Sequence, residues 1–271
     1  MRYFIHRIDK NPGDLWSSPR HYFKFDNFKS IDILDHVQLK TIPFGAQCIV
    51  GGGGLIKDTF MPSLKYLFSK KCKIVFWGIG ERLNQDLANG WLSPKSKKCV
   101  NPNFFNPILH LSSMRSLEPG IEWIPCASCN HPIFDRDIKT SGNGIKILQH
   151  KRVSIPNPRK YPLILNDPLK IEEFIEFIAS TSILITNSYH AMYWAYLMSV
   201  PTICIPFSSG HYSFCDNMIY STPDLIEEKI EIIKNSDAIN AKKQSDQSKY
   251  RIKMHRVKAR SFYSKAISFL A

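Results

Sequence analysis

Short apolar runs alternate along the chain with segments whose apolar positions recur at helical spacing. "RYFIHRI" reads as an opening strand that turns at "DKNPGD". "AQCIVGGGGLI" is a buried strand ending in four glycines, followed by the helical "MPSLKYLFSK". "CKIVFWGIG" repeats the device, with "ERLNQDLANG" as a helix closed by Gly90, and "NPILHLSSMRS" and "IEWIPCASC" read as further strands. A polar stretch, "DRDIKTSGNG", separates these elements from a second series. That series runs strand "IKILQHK", helix "DPLKIEEFIEFIAST" starting at Asp167-Pro168, strand "SILIT", helix "YHAMYWAYLMS" and strand "VPTICIPF". A loop, "SSGHYSFCDN", then leads to the helix "TPDLIEEKIEIIKN", with Thr222 as its cap and Pro223 at its first position.

Strand–glycine–helix alternation predicts parallel sheets with helices on their faces. At 271 residues the chain is long for one core, so two domains are expected. The expected class is α/β, with two Rossmann-like domains facing across a cleft. The boundaries fall at 1–138 and 139–271, with the junction near 136–144 and the C-terminal helix packing back on the N-terminal domain. The two halves share a plan without an internal sequence repeat. Ligands of open α/β sheets bind beyond the carboxyl ends of strands, where the glycine loops, His190 and Ser208-Ser209 are expected.

Composition narrows the class. Hydrophobic residues make up 44% and charged residues 22%, ordinary for a soluble globular protein. No apolar run approaches the roughly 18–20 residues of a membrane span. The N-terminal "MRYFIHRIDKNPGD" lacks the apolar core of a secretion signal. Seven cysteines, an odd number, suit a reduced cytoplasmic protein better than a disulfide scaffold. The net charge of +13 favours anionic partners. Residues 241–271 carry nine Lys/Arg against one acid, Asp246. They predict an amphipathic helix with Tyr250, Met254, Val257 and Ser261 on one side. It reads first as a docking helix with a solvated basic face, and second as a surface for acidic lipid headgroups. No nucleic-acid reading motif accompanies the charge, so nucleic acid is not expected as a partner.

Several positions carry candidate chemistry. Gly51, Gly52, Gly53 and Gly54 let backbone amides approach a phosphate or carboxylate, though glycine-rich strand ends also serve close packing. The loop is neither a Walker A sequence nor a GxGxxG fingerprint. Arg82 and Arg115 each follow a strand end, where a guanidinium can clamp an oxyanion, against the plain reading of a surface arginine. Cys126, Cys129 and His131 outline a metal site, but no second ligand pair appears. They read as structural thiols with no metal and no obligatory disulfide. His190 follows "SILIT" directly and opens a helix beside Asn187, Ser188 and Tyr189. Its place at a strand end points to a partly buried reactive ring rather than a core filler.

"NPGD", "GGGGLI", "WGIGERLN", the arginine of "SMRS", "WIPCASCNHPIFD", "LQHK" and "TNSYHAMYWAYLMSVPTICIPFSS" together resemble the ordered landmarks of polysaccharide pyruvyl transferases. The resemblance spans roughly residues 1–210, with the SYH block its most specific part. It implies a GT-B-like fold and transfer of a pyruvyl group from phosphoenolpyruvate to two hydroxyls of a sugar. The products are a pyruvate ketal and phosphate, and no further cofactor is needed. The acceptor is a saccharide of a cell-surface polysaccharide or its lipid-linked precursor. That places the protein in the cytoplasm, with peripheral contact at the anionic inner face of the membrane. His190 is implied as the catalytic acid. Arg115, Arg82, Lys151, Ser188, Ser208 and Ser209 are implied on the donor side, which the C-terminal domain supplies with His190. Asn11, Asp14 and Tyr189 are acceptor-side candidates, and the N-terminal domain with its glycine loops is the acceptor side. Many family members have Arg-Leu-His where this chain has Ser188-Tyr189-His190, so Arg115, Arg82 or Lys151 has to supply the missing cation. A nucleotide-sugar glycosyltransferase of GT-B type is the alternative reading, and a non-catalytic lectin-like component is a third.

Overall fold

The computed structural model describes residues 1–8, 12–80, 83–84, 97–98, 105–136, 138, 140, 142–167, 170–207, 215, 218–236 and 241–271. The chain divides into two compact units. The first contains Met1–Asn84, Lys97–Asn130 and His255–Ala271, and the second contains His131–Met254.

In the first unit the elements are β1 (Arg2–His6), α1 (Pro12–Ser17), β2 (Phe28–Asp32), α2 (His36–Lys40), β3 (Gln47–Gly51), α3 (Met61–Ser69), β4 (Lys73–Ile79), β5 (Leu83–Asn84), β6 (Lys97–Lys98), β7 (His110–Met114) and β8 (Glu122–Trp123). Six strands form one sheet in the order β2-β1-β3-β4-β7-β8, with every pair parallel. Alternate residues of each strand face opposite sides. Ile5, Ile31, Val50, Ile74 and Phe76 pack with Leu39 of α2 and with Leu64 and Leu67 of α3. Phe4, Ile49, Val75 and Trp77 form the opposite face.

In the second unit β9 (Ile145–His150), β10 (Leu163–Asn166), α4 (Ile171–Ala179), β11 (Ile183–Thr186), α5 (Tyr189–Leu197), β12 (Thr202–Cys204), β13 (Met218–Tyr220) and α6 (Ile226–Lys234) follow. The sheet is again parallel, in the order β10-β9-β11-β12-β13. Ile183, Ile185 and Ile203 pack with Ile226, Ile230 and Ile233 of α6. Every residue of α5 is buried, as an all-round apolar helix requires. Two parallel-sheet α/β domains are therefore present, as expected.

The long helix α7 (Ala241–Leu270) is divided at Met254/His255 between the two units. Its last turns complete the first unit, because Phe262, Ala266 and Leu270 cover the Phe4–Trp77 face. Phe262 meets Trp77 edge-on at 5.1 Å.

The structure corrects several local expectations. The face of α7 expected to dock is exposed at Tyr250, Met254 and Val257, and Ser261 is exposed with them. The buried ridge lies on the opposite side, at Ile252, His255, Ala259, Phe262, Ala266 and Leu270. Both ridges carry apolar residues, but only this one runs on to Leu270 with alanines small enough to sit against a sheet. Helix α4 begins at Ile171 rather than at Asp167, whose carboxylate pairs with Lys151 instead. Thr222 makes no capping bond, and a 3₁₀ turn at Pro223–Leu225 precedes α6. Cys126–Cys129 lies not on a strand but at a 3₁₀ turn over Ala127–Asn130. Leu83–Asn84, expected in a helix, pairs with Lys97–Lys98 as an antiparallel ladder. The rest of that expected helix lies outside the described residues.

Candidate functional site

Both sheets follow the same order, in which the second strand of the chain lies outside the first and later strands grow on the other side. The direction of growth reverses between β1 and β3 in one unit and between β9 and β11 in the other. Loops leaving adjacent strands diverge at such a point and open a crevice at the carboxyl edge. The candidate residues sit at these two places.

In the first unit, β3 ends at Gly51, and Gly52 and Gly53 have φ of 79° and 83°. That is the left-handed region glycine favours. A Cβ on Gly52 would lie 2.7 Å from Ser18 Cα, and one on Gly53 would lie 2.8 Å from Asp14 Oδ1. The glycines therefore bring the backbone against the end of α1. The loop is also pinned to β4, as Gly52 N–H donates to Trp77 O at 3.3 Å and Gly80 N–H to Gly53 O at 3.0 Å. Arg115 follows β7 directly and is only 3% exposed, so it is not a surface arginine. Its Nη2 lies 3.8 Å from where a Gly54 Cβ would sit. Ser18 and Ser116 are buried beside this loop and beside Arg115, with hydroxyls that have no hydrogen-bond partner among the described residues. Buried hydroxyls and a buried guanidinium beside a glycine loop suit an oxyanion. His6 ends β1 here, and burial pushes its pKa down to about 4, with the nearby His21 and Arg20 adding to the effect.

In the second unit, a polar ladder crosses the carboxyl edge. Asn187 follows β11 and is 1% exposed. Its Oδ1 accepts from His150 N–H at 2.6 Å, and its Nδ2 donates to Val153 O at 2.8 Å. Asn166, ending β10, donates to Ser188 Oγ at 3.3 Å. Ser188 is the residue before α5, and its N–H donates to Thr186 Oγ1 at 3.0 Å. His150 Nδ1 accepts from Arg152 N–H at 3.2 Å, and its ring lies 5.1 Å from that of Phe207. A neutral His150 therefore carries its proton on Nε2.

His190 lies in the first turn of α5. It is buried, so the expectation of a partly buried ring is corrected. Its ring packs edge-on against Tyr189 at 5.0 Å and tilted against Trp194 at 5.8 Å. Tyr189 is also buried and stacks on Tyr193. Tyr189 and Trp194 are what draw the ring in.

The structure thus groups Gly51–Gly54, Asp14 and Arg115 at one switch point. It groups Lys151, Ser188, Tyr189 and His190 at the other. Asn11, Arg82, Ser208 and Ser209 lie outside the described residues. Lys151 is exposed and pairs with Asp167 at 3.0 Å. Sequence reasoning passed over Asn166, Ser18, Ser116 and His150, and named Asn187 only as a neighbour of His190. Asn187 sits inside the SYH block and His150 inside "LQHK", so their places at strand ends were visible. Among the described residues, no group of three or more His, Cys, Asp or Glu could hold a metal ion. Cys126 and Cys129 are buried thiols that are not joined in a disulfide.

The fold and the edge residues define a two-domain, parallel-sheet α/β protein with a polar site at each switch point. Residues 135–209 match the family model for polysaccharide pyruvyl transferase, so the resemblance to that family holds over this segment. The segment contains β9 to β12 and all of the polar ladder. No curated protein matches the chain. Two solved structures are similar in outline. One is an uncharacterised protein of Klebsiella pneumoniae subsp. pneumoniae, with 11% identity, a TM-score of 0.44, and coverage of 82% of this chain and 93% of its own. The other is a UDP-N-acetylglucosamine 2-epimerase, with 10% identity, a TM-score of 0.44, and coverage of 91% and 89%. Neither likeness bears on the activity.

Proposed function

We propose that the chain is a polysaccharide pyruvyl transferase, with phosphoenolpyruvate as donor and a sugar diol as acceptor. The observation that carries the reading is the family match over residues 135–209, the stretch that sets His190 at the head of α5 beside a switch point.

The chemistry suits the residues. The methylene carbon of phosphoenolpyruvate must take a proton before a hydroxyl attacks its neighbour, and an imidazolium at His190 can give it. General-acid help of this kind is worth about 10²–10⁴-fold. The first sugar hydroxyl then adds at the central carbon. The second displaces phosphate there, closing the ketal. One hydroxyl proton returns to His190 and the other leaves with phosphate or solvent. Amide N–H groups at the start of α5 favour an anion nearby. The Lys151–Asp167 pair is exposed, and such pairs are worth about 0–1 kcal/mol, so an anionic donor can take Lys151 over. Ser188 offers a hydroxyl in place of the arginine common in the family, which leaves Lys151 as the cation nearest this edge in sequence. In the first unit, Arg115 and the loop at Gly53–Gly54 offer a second oxyanion site, and Asp14 can accept hydrogen bonds from a sugar. The acceptor is a saccharide, free or lipid-linked.

The test is phosphate release. Purified protein with phosphoenolpyruvate and a saccharide acceptor is expected to release phosphate, and phosphoenolpyruvate is expected to raise the thermal midpoint. Stabilisation by nucleotide sugars alone, with no phosphate released, would overturn the reading.

A further inference from the structure

Helix α7 carries an outward ridge that is exposed among the described residues. Tyr250, Met254, Val257 and Ile267 are 65%, 45%, 53% and 38% exposed. At 100° per residue Tyr250, Met254 and Val257 fall within about 40° of one line along the helix, opposite the ridge that packs on the first unit, while Ile267 lies about 100° off that line on the Lys253 side. Exposed Ser261, Ser264 and Ser268 fill the same line, so it carries no charge from Tyr250 to Ser268. From Tyr250 to Ser268 the uncharged line runs for about 27 Å, and its apolar part, Tyr250 to Val257, for about 10 Å. Cations flank it on both sides. Lys253 and Arg260 lie along one side, and Lys258 and Lys265 along the other, all exposed. Lys258 sits over the Trp123 ring and Lys265 pairs with Glu122, so the Lys253 side is the less committed of the two. Asp246 is the sole acid of residues 241–271.

We infer that this ridge is a docking surface for an anionic lipid bilayer. An apolar line bordered by lysines and arginines lies flat at a headgroup boundary. The side chains of the line enter the acyl edge, and the cations snorkel to the phosphates. Charge complementarity selects anionic over neutral lipid. The uncharged centre selects lipid over nucleic acid, whose phosphates would meet cations along the whole face. The inference rests on α7 alone and stands whether or not the proposed reaction is correct.

The test is co-sedimentation of the whole protein with phosphatidylcholine vesicles, with and without phosphatidylglycerol. Binding is expected only with phosphatidylglycerol, and it should weaken as salt rises. Met254→Ser with Val257→Ser keeps every charge and should lower vesicle partitioning about tenfold. Lys253→Glu with Arg260→Glu should lower it at least as much. Ile108→Ser, at an apolar residue 82% exposed elsewhere on the surface, should leave partitioning unchanged. Equal binding to both vesicles would overturn the inference. So would unchanged partitioning of the double serine variant, and the surface would then be a generic polyanion patch, including one for nucleic acid.

Discussion

The side-chain oxygen of Asn187 accepts the backbone N–H of His150 at 2.6 Å. One buried amide thus joins the carboxyl ends of β9 and β11 three residues before His190. Its other end holds Val153 O at 2.8 Å. Replacing Asn187 by Ala would leave both backbone groups without this partner. Unsatisfied buried groups cost about 1–3 kcal/mol each, so a loss of about 2–4 kcal/mol is expected. The measurement is the denaturant midpoint. Asn187→Asp keeps the acceptor but sets a buried carboxylate oxygen against Val153 O, so it should lose at least as much.

Gly52 and Gly53 test the loop of the first unit. Both have positive φ, but the neighbours differ. An alanine Cβ at Gly52 would meet the backbone of Ser17 and Ser18, whereas at Gly53 the nearest atom is the carboxylate oxygen of Asp14. A side-chain end can rotate away and backbone cannot. Gly52→Ala should therefore cost more than Gly53→Ala, by about 1 kcal/mol or more on the scale of such backbone strain. Equal thermal midpoints for the two variants would contradict this account of the loop.

Much of this was legible in the sequence, for a physical reason. Buried parallel strands are continuous apolar runs, so "CIVG", "KIVFWGI" and "ILIT" mark β3, β4 and β11 without ambiguity. The glycine loop and the SYH block were found because they interrupt such runs. The equivalence of the two sites was not legible. Gly51–Gly54 and Asn187–His190 share no residue type, and only the strand order shows that they follow the same strand of the two sheets. The buried side of α7 was misjudged because both ridges contain apolar residues. What decides is the sheet face of Phe4, Ile49, Val75 and Trp77, which periodicity within the helix does not reveal.

Arg251 closes the far end of the helix that carries His190. Its Nη1 donates to Tyr196 O at 3.1 Å and to Ser199 Oγ at 3.0 Å, and its guanidinium lies 4.3 Å from the Tyr196 ring centroid. Ser199 itself takes a left-handed φ of 58°, the conformation that often ends helices. A buried cation at a helix C-terminus also complements its dipole. Arg251→Met should lower stability by about 1–3 kcal/mol. Arg251→Lys should recover only part of it, since an ammonium cannot stack on Tyr196 and reach both oxygens in a fixed fork. Denaturant titration of the two variants checks the order.

Acid should weaken the first unit above the range where carboxylates titrate. Burial pushes both His6 and His110 from 6.5 down to about 4. Each folded pKa lies below the unfolded value, so the unfolded chain binds more protons between these limits. The stability each neutral ring contributes is complete above 6.5 and is lost as pH falls toward 4. About 1–2 kcal/mol per histidine should be gone by pH 5. Unfolding midpoints at pH 7 and pH 5 measure it. His110→Gln should flatten the profile.

The central claim is that His190 gives the proton in a phosphoenolpyruvate-dependent transfer. The most direct test is the initial rate of phosphate release from phosphoenolpyruvate, with a saccharide acceptor, for the wild type and His190→Gln. Glutamine keeps most of the buried volume and a polar end, so the thermal midpoint serves as the check on folding. The account predicts a rate lower by about 10²–10⁴-fold in a folded variant. A folded His190→Gln protein that releases phosphate at the wild-type rate would contradict it.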